Sequence, residues 1–186
     1  MIPLIGRNDA ARGKTPAVTW SRYRKALTGT DELRRWFVNQ GFRAYAVVCG
    51  MLSKLVVLDL DDEVVAHEFV QRFPDLTNTY TVRSGNRGTP HFYFRIDFPV
   101  KSQKVRGGDL KGEGGYVVGA GSTIAGKAWT VRHDAPILNL SQEQLEQILE
   151  FLKPQQSVFN ARHDIKEVPT DFASVLSEYQ REVERT

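Results

Sequence analysis

Apolar residues recur along this chain with two periods, and each change of period marks a new element. Residues 43–48 and 54–61 are β-rich. Leu55, Val56, Val57 and Leu58 are apolar on both faces, as in a central strand covered from both sides. Residues 91–96 alternate: Phe92, Phe94 and Ile96 fall on one face, and His91, Tyr93 and Arg95 on the other. Residues 79–83, 115–119 and 128–132 read as further strands, the last two around a glycine-rich turn. The opening residues, through Lys14-Thr15-Pro16, read as a strand and loop. Helical spacing appears three times. Leu33, Trp36 and Phe37 share the inner side of a helix capped by Thr30 or Asp31 and ended by Gly41. Asp62 starts a second helix, which Pro74 stops. Ser141 and Gln144 form a capping box for a third, reaching about residue 152. The expected class is α/β (α+β).

Pro154 marks the end of the compact part. The expected organisation is a domain over residues 1–153, then a linker and C-terminal helix over 154–186 that either leads to a further domain or packs back on this one. Phe172, Val175, Leu176 and Tyr179 give that helix its apolar side.

Composition narrows the function classes. The 186 residues are enough to bury one core, and 41% hydrophobic with 25% charged residues suits a soluble globular domain. No apolar run approaches the ~20 residues that span a bilayer. The start lacks a long apolar signal core, so a cytoplasmic protein is expected. Cys49 stands alone, which excludes an internal disulfide and a cysteine-rich zinc site. The net charge of +3 permits nucleic-acid binding without arguing for it. Distribution says more: Arg7, Arg12, Lys14, Arg22, Arg24 and Lys25 cluster near the start, and Lys101, Lys104, Arg106 and Lys111 form a second basic stretch. Either group can meet phosphates, although any one cation alone reads as solvated surface.

Three segments carry chemistry. In Val57-Leu58-Asp59-Leu60-Asp61, side chains two apart on a strand point the same way, so Asp59 and Asp61 project together. Two carboxylates so close repel, and a hard divalent cation, Mg²⁺ or Mn²⁺, removes the conflict. The competing reading is that Asp61 and Asp62 cap the next helix. In the second segment, the loop at residues 84–90 delivers His91 onto the polar face of a strand, where it can donate to a phosphate oxygen. A structural histidine is the alternative. In the third, Gly107-Gly108-Asp109-Leu110-Lys111 places Asp109 and Lys111 on one face if extended, as a third carboxylate and a phosphate-binding cation. The alternative there is a glycine-rich hairpin with a surface ion pair.

Taken in order, these segments resemble the archaeo-eukaryotic primase superfamily, in its bifunctional primase-polymerase (prim-pol) branch of plasmid and phage replicases. The resemblance runs from about residue 2 to 129 and begins with Pro3-Leu4, Lys14-Thr15-Pro16 and Trp20. The family's two acids flanking one residue match Asp59 and Asp61. Its small residue followed two positions on by histidine matches Thr89 and His91. Its acid, basic residue and Gly-Gly-Tyr-Val-Val match Asp109, Lys111 and residues 114–118. The chain departs from the family in its longer loop carrying Arg87, in Ala120-Gly121-Ser122 where Pro-Pro-Ser is frequent, and in Lys111 where arginine is usual.

The resemblance implies an RRM-like catalytic sheet with an N-terminal α/β subdomain. It implies a template-dependent nucleotidyltransferase, both DNA primase and DNA polymerase, working by a two-metal mechanism. Asp59, Asp61 and Asp109 would hold Mg²⁺ or Mn²⁺. His91, Lys111, Arg83, Ser84, Thr89 and Lys14 would bind the nucleotide. The partners implied are a DNA template and primer, (deoxy)nucleoside triphosphates and a helicase domain or subunit, with no membrane. The rival readings are a metal-dependent nuclease and a non-catalytic replication-origin DNA-binding module.

Overall fold

The computed structural model describes residues 1–6 and 12–154. Arg7 and the helix expected near the C-terminus lie outside the described residues. In chain order the strands are β1 (Ile2–Pro3), β2 (Tyr45–Val48), β3 (Leu55–Leu60), β4 (Thr81–Arg83), β5 (Pro90–Arg95) and β6 (Gln103–Val105). They continue as β7 (Gly108–Lys111), β8 (Tyr116–Val118), β9 (Thr123–Ile124), β10 (Lys127–Ala128), β11 (Thr130–His133) and β12 (Leu138–Asn139). The helices are α1 (Thr30–Leu33), α2 (Glu63–Arg72) and α3 (Gln142–Phe151).

A seven-stranded sheet in the order β11-β4-β5-β3-β7-β6, with β12 parallel beside β5, forms the centre. β3 is antiparallel to both its neighbours, β5 and β7. Strand alternation then sorts the side chains. Val56, Leu58 and Leu60, with Phe92, Phe94 and Leu110, face Val65, Ala66 and Phe69 of α2 and Leu145 and Ile148 of α3. Val57, Val82 and Tyr93 face the other way, against Ile2, Leu4, Ala46, Val117 and Val118. Those last residues belong to or adjoin a small sheet, β1-β2-β8. The continuous apolar run in β3 is therefore covered on both sides, as its pattern requires. A run of this kind is usual in parallel sheets. Here the small sheet supplies the second cover, and the pairing is antiparallel. Each fully buried side chain, such as Leu58, stabilises the fold by about 1.5–3 kcal/mol relative to exposure.

The first helix differs from expectation at its start. Its N-cap is Gly29, not Thr30 or Asp31, because Glu32 reaches back to accept from the Gly29 N–H at 3.2 Å. It continues over Arg34–Asn39 as a wider turn, with the Gln40 N–H bonded to the Arg35 carbonyl five residues back. Trp36 is buried, and Leu33 and Phe37 pack beside it. Gly41, at φ +67°, ends the helix in the left-handed conformation that glycine adopts freely.

At the start of α2, the two adjacent aspartates divide the roles. The Asp62 carboxylate accepts from the N–H groups of Val64 and Val65 at 2.9 and 3.1 Å. The Asp61 side chain makes no such bond, and its backbone N–H donates to the Gly107 carbonyl at 2.7 Å. Ser141 and Gln144 cap α3 reciprocally, as the capping box predicts. No helix among the described residues is long and apolar enough to cross a membrane.

Two stability outcomes follow from these contacts. Asp62→Ala removes the cap and costs about 0.5–2 kcal/mol in urea unfolding, while Asp61→Ala, which caps nothing, stays within about 0.5 kcal/mol of wild type. A Cβ at Gly108 would lie 2.1 Å from the Asp59 carbonyl oxygen. Gly108→Ala therefore forces β7 off β3 and costs about 1–3 kcal/mol or more by the same measurement.

Candidate active site

Register brings the chemistry together. Asp59 on β3 stands opposite His91 on β5 and opposite Asp109 on β7, and Asp109 stands opposite Lys104 on β6. One line across the sheet thus reads Lys104, Asp109, Asp59, His91. Directly opposed residues share a face, with Cβ atoms about 4.5–5.5 Å apart. The next line carries Lys111 opposite Val57. Asp109, Asp59, His91 and Lys111 open into a cavity of about 420 Å³, whose walls also include Lys14, Asp61, Ser84, Tyr116 and Trp129.

Each carboxylate faces a basic side chain. His91 Nε2 lies 3.1 Å from Asp59 Oδ1, but off the hydrogen-bond direction, so that oxygen has no hydrogen bond. Asp109 Oδ2 is 3.0 Å from Lys104 Nζ and 3.1 Å from Lys111 Nζ. Asp61 Oδ1 is 3.3 Å from Arg87 Nη1. The Arg87–Asp61 and Lys104–Asp109 pairs involve exposed cations, so each contributes little to stability. Lys111 is three-quarters buried and is held more firmly. Burial alone would push the Asp59 carboxyl up. The His91 contact, helped by Lys111 and Lys14, outweighs burial and holds it below the usual carboxylate range. Asp109 holds the Lys104 ammonium above its usual range.

The polar atoms left without partners point to a use. Among the described residues, the buried side-chain atoms lacking a hydrogen bond are Asp59 Oδ1, Thr89 Oγ1, His91 Nδ1 and Trp129 Nε1. Three of these four belong to residues lining this one cavity. Buried polar groups are ordinarily satisfied, so this concentration sets the cavity apart from the rest of the core.

The structure gathers Asp59, Asp61, Asp109, His91, Lys111, Ser84 and Lys14 around the cavity. It does not bring Arg83 or Thr89 there. Val82 pairs with His91, so alternation along β4 sends Arg83 to the opposite face. Thr89 is 2% exposed and lines a separate cavity with Glu63, His67, Phe92 and Arg132. Among the described residues, no three His, Cys, Asp or Glu side chains stand together as a preformed metal cage. The donor chemistry nevertheless fits a hard divalent cation: two cross-strand carboxylates, one with an unbonded buried oxygen, and a third acid on the same cavity wall.

Sequence reading passed over Trp129, Ser102 and Tyr116 as site residues. Ser102 accepts from the Gly112 N–H and donates to the Glu113 carbonyl, fixing the glycine-rich turn beside the cavity. The Tyr116 hydroxyl donates to the Lys14 carbonyl at 3.2 Å, tying the N-terminal loop to β8. Tyr116 was legible as part of the Gly-Gly-Tyr run, whereas Ser102 had no sequence signal.

No curated protein matches the chain. Residues 1–144 match the family model described as the N-terminal domain of bifunctional DNA primase/polymerases. That span contains every residue of the cavity just described. The chain belongs to the Prim-Pol family.

Proposed function

We propose that this chain joins nucleotides on a DNA template, and that the cavity between β3, β7 and the small sheet is where it does so. The observation that carries the reading is the cross-strand pair Asp59–Asp109, set in one cavity with Asp61, His91, Lys111 and Lys14. Family membership supplies the reaction class. Strand order supports an RRM-like catalytic sheet. β3-α2-β4-β5 followed by β7, arranged β4-β5-β3-β7, is the order of a split βαβ sheet, with β6 standing where its second helix would be.

In this reading Asp59, Asp61 and Asp109 hold Mg²⁺ or Mn²⁺. When bound, the metal supplies Lewis acidity toward the attacking 3′-hydroxyl and the leaving pyrophosphate. The rest falls to the chain's own groups. Lys111 and Lys14 attract the triphosphate and offset charge that builds during in-line displacement. His91 keeps Nε2 toward Asp59, which leaves Nδ1 to donate to a phosphate oxygen. Ser84, 5% exposed, offers its hydroxyl from the same wall. The 3′-hydroxyl loses its proton to solvent, and its oxygen bonds to the α-phosphorus as the bond to the pyrophosphate oxygen breaks. The density of cations beside the acids favours this reading over a nuclease, which needs no triphosphate pocket.

Primer extension tests the reading. On a primed template with nucleoside triphosphates and Mg²⁺ or Mn²⁺, wild-type protein extends the primer, and Asp59→Ala/Asp109→Ala lowers the rate at least 100-fold. Template degradation by the wild type would replace this reading with a nuclease.

The role of His91 is open to titration. In His91→Ala the burial of Asp59 persists while its strongest favourable contact is lost, so the Asp59 carboxyl titrates at higher pH than in wild type. Stability from a depressed carboxyl is present above its unfolded pKa and lost as pH falls through its folded value. The loss of stability on the acid side is therefore smaller in the variant and is complete at a higher pH. Carboxyl ¹³C shifts of Asp59 and pH-dependent melting check this, and coincident titrations would remove His91 from the role.

A further inference from the structure

We propose that a second cavity, on the α2 side of the sheet, holds a phosphate of the unpaired template strand where that strand leaves the active cavity. The inference rests on the nucleotidyl-transfer reading and adds a DNA contact outside its active site. The second cavity has a volume of about 410 Å³, and its walls include His67, Gly88, Thr89, Arg132 and His133, with Glu63 as the acid among them. A cavity of that size suits one nucleotide rather than a duplex.

Strand register gathers cations at this cavity. Thr81 pairs with Phe92, whose ring meets Phe69 of α2, so Thr81 and, two residues on, Arg83 face the α2 side. On β11, His133 stands opposite Thr81 and Thr130 opposite Arg83. The register shifts between Val131 and His133, which leaves Arg132 as the extra residue of a bulge. Arg83 reaches the cavity wall at Gly88, where an added Cβ would lie 3.0 Å from Arg83 Nη2. Arg83 and Arg132 are exposed, and neither makes an ion pair among the described residues. The rings of His67 and His133 are held by Gln71 and Asn78, at 3.0 and 2.9 Å. Two guanidinium groups against the carboxylate of Glu63 leave the wall cationic, and the guanidinium fork matches phosphate oxygens.

The two cavities share a boundary. The loop at residues 84–90 gives Ser84 to the active cavity, and Gly88, Thr89 and Pro90 to the second. Trp129, just before β11, lines the first, and Arg132 and His133 of β11 line the second. β11 is the edge of the main sheet, so a strand leaving the active cavity has a route over this edge. A free phosphate ion offers the same oxyanion. The polymer is favoured because a strand already held in one cavity presents its next phosphates to the other at high effective concentration.

Fluorescence anisotropy of the full chain across a salt series tests this, with a primed template carrying an unpaired 5′ overhang and with its blunt-ended counterpart. Arg83→Met and Arg132→Met are each expected to weaken binding of the overhang DNA about tenfold at low salt. Each should also lower the slope of log affinity against log salt by about 0.7, the value for one phosphate on a single strand. Arg83→Lys and Arg132→Lys keep the charge and should keep the slope. Arg95→Met, at the other end of β5, should change neither quantity, and blunt-ended DNA should not distinguish the variants from wild type. An unchanged slope in both methionine variants, or equal losses on blunt-ended DNA, overturns the proposal. Calorimetry with inorganic phosphate tests the free ion, and saturable binding that both methionine variants abolish while DNA binding is unaltered makes this an ion site and overturns it too. If the wild type binds no DNA, the function reading falls and takes this one with it. If wild type and variants bind and extend the DNA alike, only this one falls. A readout on the unaltered chain guards against a misfolded variant. The amide resonances of Gly88 and Arg132 should move with the overhang DNA and not with the blunt-ended one, and resonances that ignore both overturn the assignment.

Discussion

The antiparallel register of β3 between β5 and β7 is the constraint on which the rest depends. It sets Asp59 opposite His91 on one side and Asp109 on the other. Side-chain alternation has a period of two, so a slip of one residue would send Asp59 into the apolar layer under α2 and turn Leu58 toward the cavity. The register is held by burial on both faces at once. Leu58 and Leu60 are fixed by the helices, Val57 by the small sheet, and neither set can shift without the other. A line of polar residues along one cavity is thus positioned by apolar packing.

Electrostatics explains how so many charges share one cavity. Asp59 is largely buried, and burial alone would favour its protonated form. The imidazole of His91 and the nearby ammonium groups reverse that preference. Asp109 is neutralised by two lysines from different directions, one on its own strand and one on β6. The Asp59 carboxyl is thereby favoured in its charged form despite its burial.

Much of this was legible in the chain. The alternation in β5 placed His91 opposite the apolar face, and the doubly apolar run identified β3 as central. The Asp62 cap, the Ser141 capping box and the Gly41 stop are local signals whose partners lie within four residues, so sequence resolves them well. β6 and β12 were not anticipated. Each has two or three residues and too little alternation to register as a strand, and each exists because a neighbour, β7 or β5, offers an unpaired edge. The cap at Gly29 was missed because it rests on the Glu32 side chain rather than on a capping side chain of its own.

The chain by itself determined its element types, the polar face of each strand and the family to which it belongs, because those are set by periodicity and by residues close together along the sequence. Only the tertiary structure decided which of the marked residues meet. It joined Lys14 to Asp59 across 45 residues, sent Arg83 and Thr89 away from the cavity, and brought in Trp129, whose indole N–H has no sequence signature. The physical reason is that strand pairing and sheet order are fixed by burial summed over distant segments, which no local pattern encodes.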